Sequence, residues 1–234
     1  MQNVFTTTPQ DTSSDANAQE FMFNRMLMSN AFITLAIVTE VNESGGMVTV
    51  QPLVEGFTGA GERIPKTEIY GVPVWRLQRG ASALIMNPVA GDIGMIAICD
   101  RDISGVKATK SSSLPGSSRT HNYADAIYLG GVLNAEPSQY VSFRDDGIDV
   151  VSPLSVTMTA PVVEVNASSS LTLNSANIVL NGPVNQGSGS YAGDFNFAGN
   201  INAAGEVTGN GIKLSTHTHK GVQSGNSNSG TPNA

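Results

Sequence analysis

The sequence predicts a mainly β chain, with a helix and a small barrel leading into an intertwined three-chain β-helix. Three observations point there. Short apolar runs bounded by glycine or proline fill residues 32–106, the pattern of β-strands joined by turns. From Tyr140 onward, apolar couplets recur at a fixed spacing, which marks a repeat architecture. Only 13% of residues are charged and 6% aromatic, against 25 glycines, a balance foreign to coiled coils and ordinary enzymes. A hydrophobic content of 40% argues against disorder.

The 234 residues divide in this reading into five stretches. Residues 1–31 are an N-terminal arm and helix, 32–106 a barrel, 107–139 a linker with a connecting strand, 140–212 the trimeric β-helix and 213–234 a metal-binding tip. Residues 1–15 are polar and acidic, with neither the basic start nor the apolar stretch of a secretory leader. Ala16 to Ser29 favours helix, with Phe21, Met22, Met26, Leu27 and Met28 on its apolar faces. Arg25 is its only base, so packing on a neighbouring subunit or domain is expected rather than a seat on a membrane surface. The longest apolar run, Ala31 to Val38, is too short for the ~20 residues that span a bilayer.

Ile33 to Val41, a turn at Asn42 to Gly46, and Met47 to Val54 form the pattern of a hairpin. Tyr70–Trp75, Ala83–Met86 and Asp92–Cys99 complete about five short strands. That number in so short a stretch suggests an oligonucleotide/oligosaccharide-binding (OB) barrel. The strands carry few bases, and only Tyr70 and Trp75 could stack on a ligand, so a structural adaptor is expected. Cys99 is the only cysteine; it forms no internal disulfide and reads as a small hydrophobe near the core. Residues 107–120 are a polar linker and Ala126–Leu129 a further strand. His121 has no metal-ligand partner near it in sequence and reads as a hydrogen-bonding loop residue.

The couplets are Val141/Phe143, Ile148/Val150, Val156/Met158, Val163/Val165, Leu171/Leu173 and Ile178/Leu180. Their first members lie 7, 8, 7, 8 and 7 residues apart, a 15-residue unit of two short strands. Alternation puts both members on one face. Two inward residues per strand bury almost nothing, so stacking has to supply the core. A three-sided solenoid with six-residue sides needs roughly 18 residues per coil, more than this unit provides. Three intertwined chains, each giving one face per level, remove the mismatch and pair every strand edge. Beyond Gly187–Ser190, Phe195, Ile201 and Val207 follow at six-residue spacing among glycines, as in a narrowing shaft. From Gly147 to Ile212 the only charges are Asp149, Glu164, Asp194 and Glu206. Such a surface has little attraction for anionic glycans or lipid headgroups.

After the repeats stand His217 and His219, two of the three histidines. In an extended strand they project to one side. Around a threefold axis they make six imidazoles, a set that suits an octahedral transition ion such as iron(II) or nickel better than tetrahedral zinc. An ion so enclosed has no open position for substrate. No nucleophile elbow, phosphate loop or paired acids accompany it, so no enzymatic activity is expected. The charge of −7, from 19 acids and 12 bases, argues against sequence-specific nucleic-acid binding.

Helix, small barrel, β-prism and terminal His-x-His, in this order, resemble the central spike proteins of contractile-tailed phage baseplates. The Mu-type and Gp138-like spikes are the nearest likeness. The run Arg119-Thr120-His121-Asn122-Tyr123-Ala124-Asp125-Ala126 resembles an arginine–histidine–aspartate-alanine signature of that family. Ser215 to Val222, with Gly230-Thr231-Pro232 after it, resembles its tip. The resemblance spans about residues 30–234. It implies a homotrimer in the virion tail, made in the host cytoplasm and seated by its OB domain on the tail hub. It further implies a β-helix that pierces the host outer membrane, serving genome ejection, with one Fe2+ per trimer held by His217 and His219. Residues 107–139 are too short for the lysozyme domain of some related spikes. A spike of a related contractile injection or secretion system shares this physics. A polysaccharide-binding tailspike fits less well, because residues 147–212 hold only two phenylalanines, one tyrosine and four scattered acids.

Overall fold

The computed structural model describes residues 7–58, 60–187, 189–221 and 225. The chain divides into two compact units after Thr159. The first begins with helix α1, Asp15–Ser29, whose N-cap Ser14 accepts a hydrogen bond from the Asn17 N–H. That cap starts the helix one residue before the sequence-based boundary, as a serine at the first turn does. At Asn30 the backbone returns to extended geometry. No residue of α1 is buried, and Met22, Phe23, Met26 and Met28 all face outward.

Five strands make the central sheet: β1 (Ile33–Val41), β2 (Met47–Pro52), β5 (Ile69–Pro73), β8 (Ile93–Ile98) and β9 (Ala126–Gly131). Their order is β5-β2-β1-β8-β9, with antiparallel neighbours throughout. The two outer strands then meet. Val74, just past β5, bridges Tyr128 of β9 in parallel, and the Trp75 N–H donates to the Tyr128 carbonyl at 2.8 Å. A meander of three strands, a parallel contact between the third and fifth, and the fourth set between the fifth and first is the connectivity of an OB-type barrel. Closure of this kind leaves short edges for stray pairing.

Alternation along the strands fills the inside. Ala36, Val38, Val48, Val50, Ile69, Val72, Ile96, Ile98, Ala126 and Tyr128 form one buried cluster. The β1–β2 turn is held by Asn42, whose side chain accepts from the Met47 N–H and whose carbonyl accepts from the Gly45 N–H. Gly45 sits at φ 63° with its open side against the Asn87 side chain, so both conformation and space call for glycine there.

Two short hairpins stand outside the sheet: β3 (Gly56–Phe57) with β4 (Arg63–Ile64), and β6 (Leu77–Arg79) with β7 (Ser82–Leu84). The run Ala83–Met86, expected as a barrel strand, therefore pairs with β6 instead. The fifth barrel strand is β9, which the sequence places in a connecting segment. Ala126 and Tyr128 both point inward, and without β9 the β5 edge would have nothing to close on. The stretch expected as polar linker also opens with a helix, α2 (Ser104–Thr109), ended by Lys110 in left-handed geometry.

The first apolar couplets form hairpin β10 (Tyr140–Arg144) and β11 (Gly147–Val151), joined by Asp145 and Asp146. Val141 stands opposite Val150 and Phe143 opposite Ile148, so the two couplets share one face as the period requires. Among the described residues from Ser152 to Val207, no strand forms within the chain. The second unit, taken by itself, closes with β12 (Thr208–Gly209) and β13 (Ile212–Lys213). The C-terminal Gly230-Thr231-Pro232 lies outside the described residues.

The tightest packing in the barrel is at Gly94, where a Cβ would collide with the Tyr128 ring and hydroxyl and with the Gly130 carbonyl. Gly94→Ala is expected to cost about 1–3 kcal/mol through overpacking, read as a lower urea midpoint at unchanged slope. An unaltered midpoint would contradict this packing.

Candidate functional site

The C-terminal histidines sit beyond a two-residue hairpin. Asn210 and Gly211 both have positive φ, 49° and 79°, the type I′ geometry that asparagine-glycine adopts between twisted strands. The turn returns the chain so that the Leu214 N–H donates to the Val207 carbonyl at 2.9 Å. One residue on, the Glu206 carboxylate accepts the Ser215 N–H at 3.1 Å and also the Ser215 hydroxyl. These two bonds hold the Glu206 carboxyl below its usual range.

His217 follows directly. Its Nδ1 lies 2.8 Å from the Leu214 carbonyl. A carbonyl only accepts, so Nδ1 carries the proton and Nε2 keeps a bare lone pair. His219 stands beside it, ring centroids 5.1 Å apart and planes at 82°. The structure thus brings together the two side chains that alternation predicted on one side. A neutral imidazole with one nitrogen fixed by a carbonyl is how metal-bound histidines are usually oriented. The donor set fits a borderline transition ion. Among the described residues of one chain no third ligating side chain joins them, so a closed coordination sphere would draw on other chains.

The couplets of the predicted shaft are all exposed in the single chain. Every one of the side chains from Val141/Phe143 to Ile178/Leu180 keeps between 52 and 79% of its surface open. Phe195, Ile201 and Val207 are exposed as well. This apolar surface is far more than scattered exposure accounts for and marks a face made for another polypeptide.

At the barrel, Trp75, Leu77, Leu84 and Met86 are exposed and line a groove of about 460 Å³ beside Arg76. Arg76 is tied to the Asn87 side chain at 3.1 Å. Tyr70, the other expected stacking residue, is exposed and donates its hydroxyl to Glu68. Cys99 is half-buried, and burial pushes its thiol pKa up.

Sequence reasoning missed one arrangement. Arg119 reaches both Asp125, at 2.6 Å from Nε and 2.9 Å from Nη2, and Asp102, at 2.8 Å. Both carboxylates are buried. Asp125 also accepts the Ile103 N–H, and Asp102 accepts the Ser104 N–H and the Ser117 hydroxyl. The bidentate arginine and these donors tie the 99–125 excursion back to the start of β9 and satisfy two charges that would otherwise be costly to bury. The arginine–histidine–aspartate-alanine run was the available signal, since it contains Arg119 and Asp125; Asp102 stands outside it. His121 within that run sits at φ 46°, packs its ring on Phe32 at 4.7 Å and bonds through its backbone to Asp100 and Ala31. Its buried Nδ1 has no partner among the described residues, so the expected loop role is carried by the main chain and ring.

Residues 35–131 match the family model of the phage protein Gp138 N-terminal domain, and residues 211–233 match that of the GpV Apex motif. Together they take in just over half of the chain. The first covers the barrel from β1 through β9, and the second starts at the turn residue Gly211 and includes both histidines. Both belong to structural baseplate spike proteins. No curated protein matches the chain.

The buried cluster sets a pH dependence. Hydrogen bonds from Ser104 and then Ser117, with the Arg119 charge, lower the Asp102 pKa from 3.8 to about 2, and the bond from Arg119 lowers Asp125. Folded values below the unfolded ones mean that this stabilisation is complete above about pH 4 and fades as the pH falls toward 2. The melting temperature of the barrel should fall across that window, and Asp102→Asn should flatten the fall. A melting temperature constant from pH 5 to pH 2 would contradict the assignment.

Proposed function

The chain belongs to the phage baseplate spike proteins of the Gp138 and GpV type, and we propose that it is the central, membrane-piercing spike of a contractile tail. It is a virion tail component that associates with other baseplate proteins. The reading goes further: a homotrimer, seated by its barrel on the tail hub, is driven point first through the host outer membrane when the sheath contracts.

The observation that carries this reading is the exposed apolar couplets between the barrel and the histidines. Three chains would bury these couplets against one another, and each large side chain so covered contributes about 1.5–3 kcal/mol. A prism with every strand edge paired resists unfolding under axial load, because no strand can peel away alone. The sparse charge of residues 147–212, all of it acidic, suits a shaft that passes lipid headgroups without adhering. The apolar groove at Trp75, Leu77, Leu84 and Met86 offers the barrel a surface of the kind protein partners cover. The role is mechanical, and no step in it calls for a catalytic group.

At the tip, His217 and His219 of three chains would hold a single Fe2+ through nitrogen donors. The metal supplies a cross-link between chain ends. This chain's own residues present the lone pairs, keep the rings side by side and turn the backbone tightly enough to form a point.

The double variant His217→Ala with His219→Ala tests this. Elemental analysis of the purified wild-type protein should give about one transition ion per three chains, as a six-nitrogen site shared by three chains requires. The double variant should give none while keeping its oligomeric state. Virions assembled with the variant should retain the spike and deliver their genomes less efficiently. Equal metal in both proteins would refute the tip, and undiminished delivery would refute its part in piercing.

A further inference from the structure

We infer that Glu206 is the positioning residue of the tip, setting the tautomer of His217 before any second chain arrives. Glu206 lies eleven residues from His217 in sequence, but the hairpin brings it back. Its carboxylate grips Ser215 by both the N–H and the hydroxyl. On the other side of Leu214, the Val207 carbonyl takes the Leu214 N–H. The peptide between Leu214 and Ser215 is thereby fixed through the N–H groups at each end. Its carbonyl, that of Leu214, is the acceptor for His217 Nδ1 at 2.8 Å. An imidazole free in water prefers its proton on Nε2, whereas this carbonyl draws the proton to Nδ1. The lone pair then sits on Nε2, at the far end of the ring, where a ligand can be reached. Asn210 and Gly211 make the return possible, since both adopt the positive φ that a two-residue turn demands.

The acid is otherwise hard to explain. Residues 147–212 hold only four charges, and Glu206 is the last of them. A shaft kept nearly bare of charge retains one carboxylate where two donors of the same residue converge. Pre-organisation has an energetic purpose: a ligand ring already in the binding tautomer and orientation loses less freedom when the ion binds.

The statement about the tautomer stands on the hairpin geometry alone; its consequence for metal affinity rests on the function proposed above. The experiment separates the two. The full-length protein with isotope-labelled histidine, stripped of metal by a chelator, is examined by NMR for the ring nitrogen shifts of His217. Wild type should show the proton on Nδ1. Glu206→Ala should shift it toward Nε2, and Glu206→Gln, which keeps an acceptor for the Ser215 N–H, should restore much of the wild-type signal. Chelator competition with Fe2+ should then show affinity about tenfold weaker for Glu206→Ala, at the lower end of outer-shell effects, with Glu206→Gln between. An unchanged tautomer in Glu206→Ala would overturn the inference. Tautomer shifts in a wild-type protein that takes up no ion would uphold it and defeat the metal reading instead.

Discussion

Every feature of the C-terminal half answers to one constraint: its strands are too short to bury their own apolar side chains. A strand with two inward residues and turns on either side has no second layer within reach. In the single chain those residues remain open to water from Val141 through Val207. The barrel shows the contrast. There five strands of two to five inward residues curl until Val74 meets Tyr128, and ten side chains find cover within one molecule. The same chain therefore contains one part that is complete alone and one that is not.

The two regions use polar groups differently. Around the barrel, charge is buried and fully engaged. Arg119, Asp102 and Asp125 close the excursion that carries α2, and backbone N–H groups take up the remaining carboxylate oxygens. Along the predicted shaft charge is nearly absent, and the turns are made by serine, asparagine, proline and glycine. At the end it returns as single groups with specific tasks: Glu206 on Ser215, His217 on Leu214. An adaptor needs a firm body, a shaft needs a surface that does not adhere, and a point needs its last residues fixed. Each part of the sequence suits one of these needs.

Much of the barrel was legible because alternation and glycine or proline boundaries mark β1, β2, β5 and β8 directly. β9 was readable as a strand but not as the closing one, because closure depends on a parallel contact 54 residues away in sequence, between Val74 and Tyr128. α2 went unseen because Ser104 to Thr109 has no apolar period; the helix is a single short excursion stopped by Lys110. The ion cluster was invisible for a related reason, since Asp102 and Arg119 are separated by a serine-rich stretch that carries no sign of their meeting. The histidine pair was plain from spacing alone. The carboxylate that organises its backbone was not, because only the Asn210–Gly211 turn brings Glu206 alongside Ser215.

The mass of the purified full-length chain in solution tests the central claim most directly. Size-exclusion chromatography with light scattering should report a particle three times the 24.3 kDa chain, with the C-terminal half folded as judged by protease resistance. A stable particle of 24.3 kDa with that half protected would mean that the apolar couplets find cover within one molecule, and the three-chain account would fail.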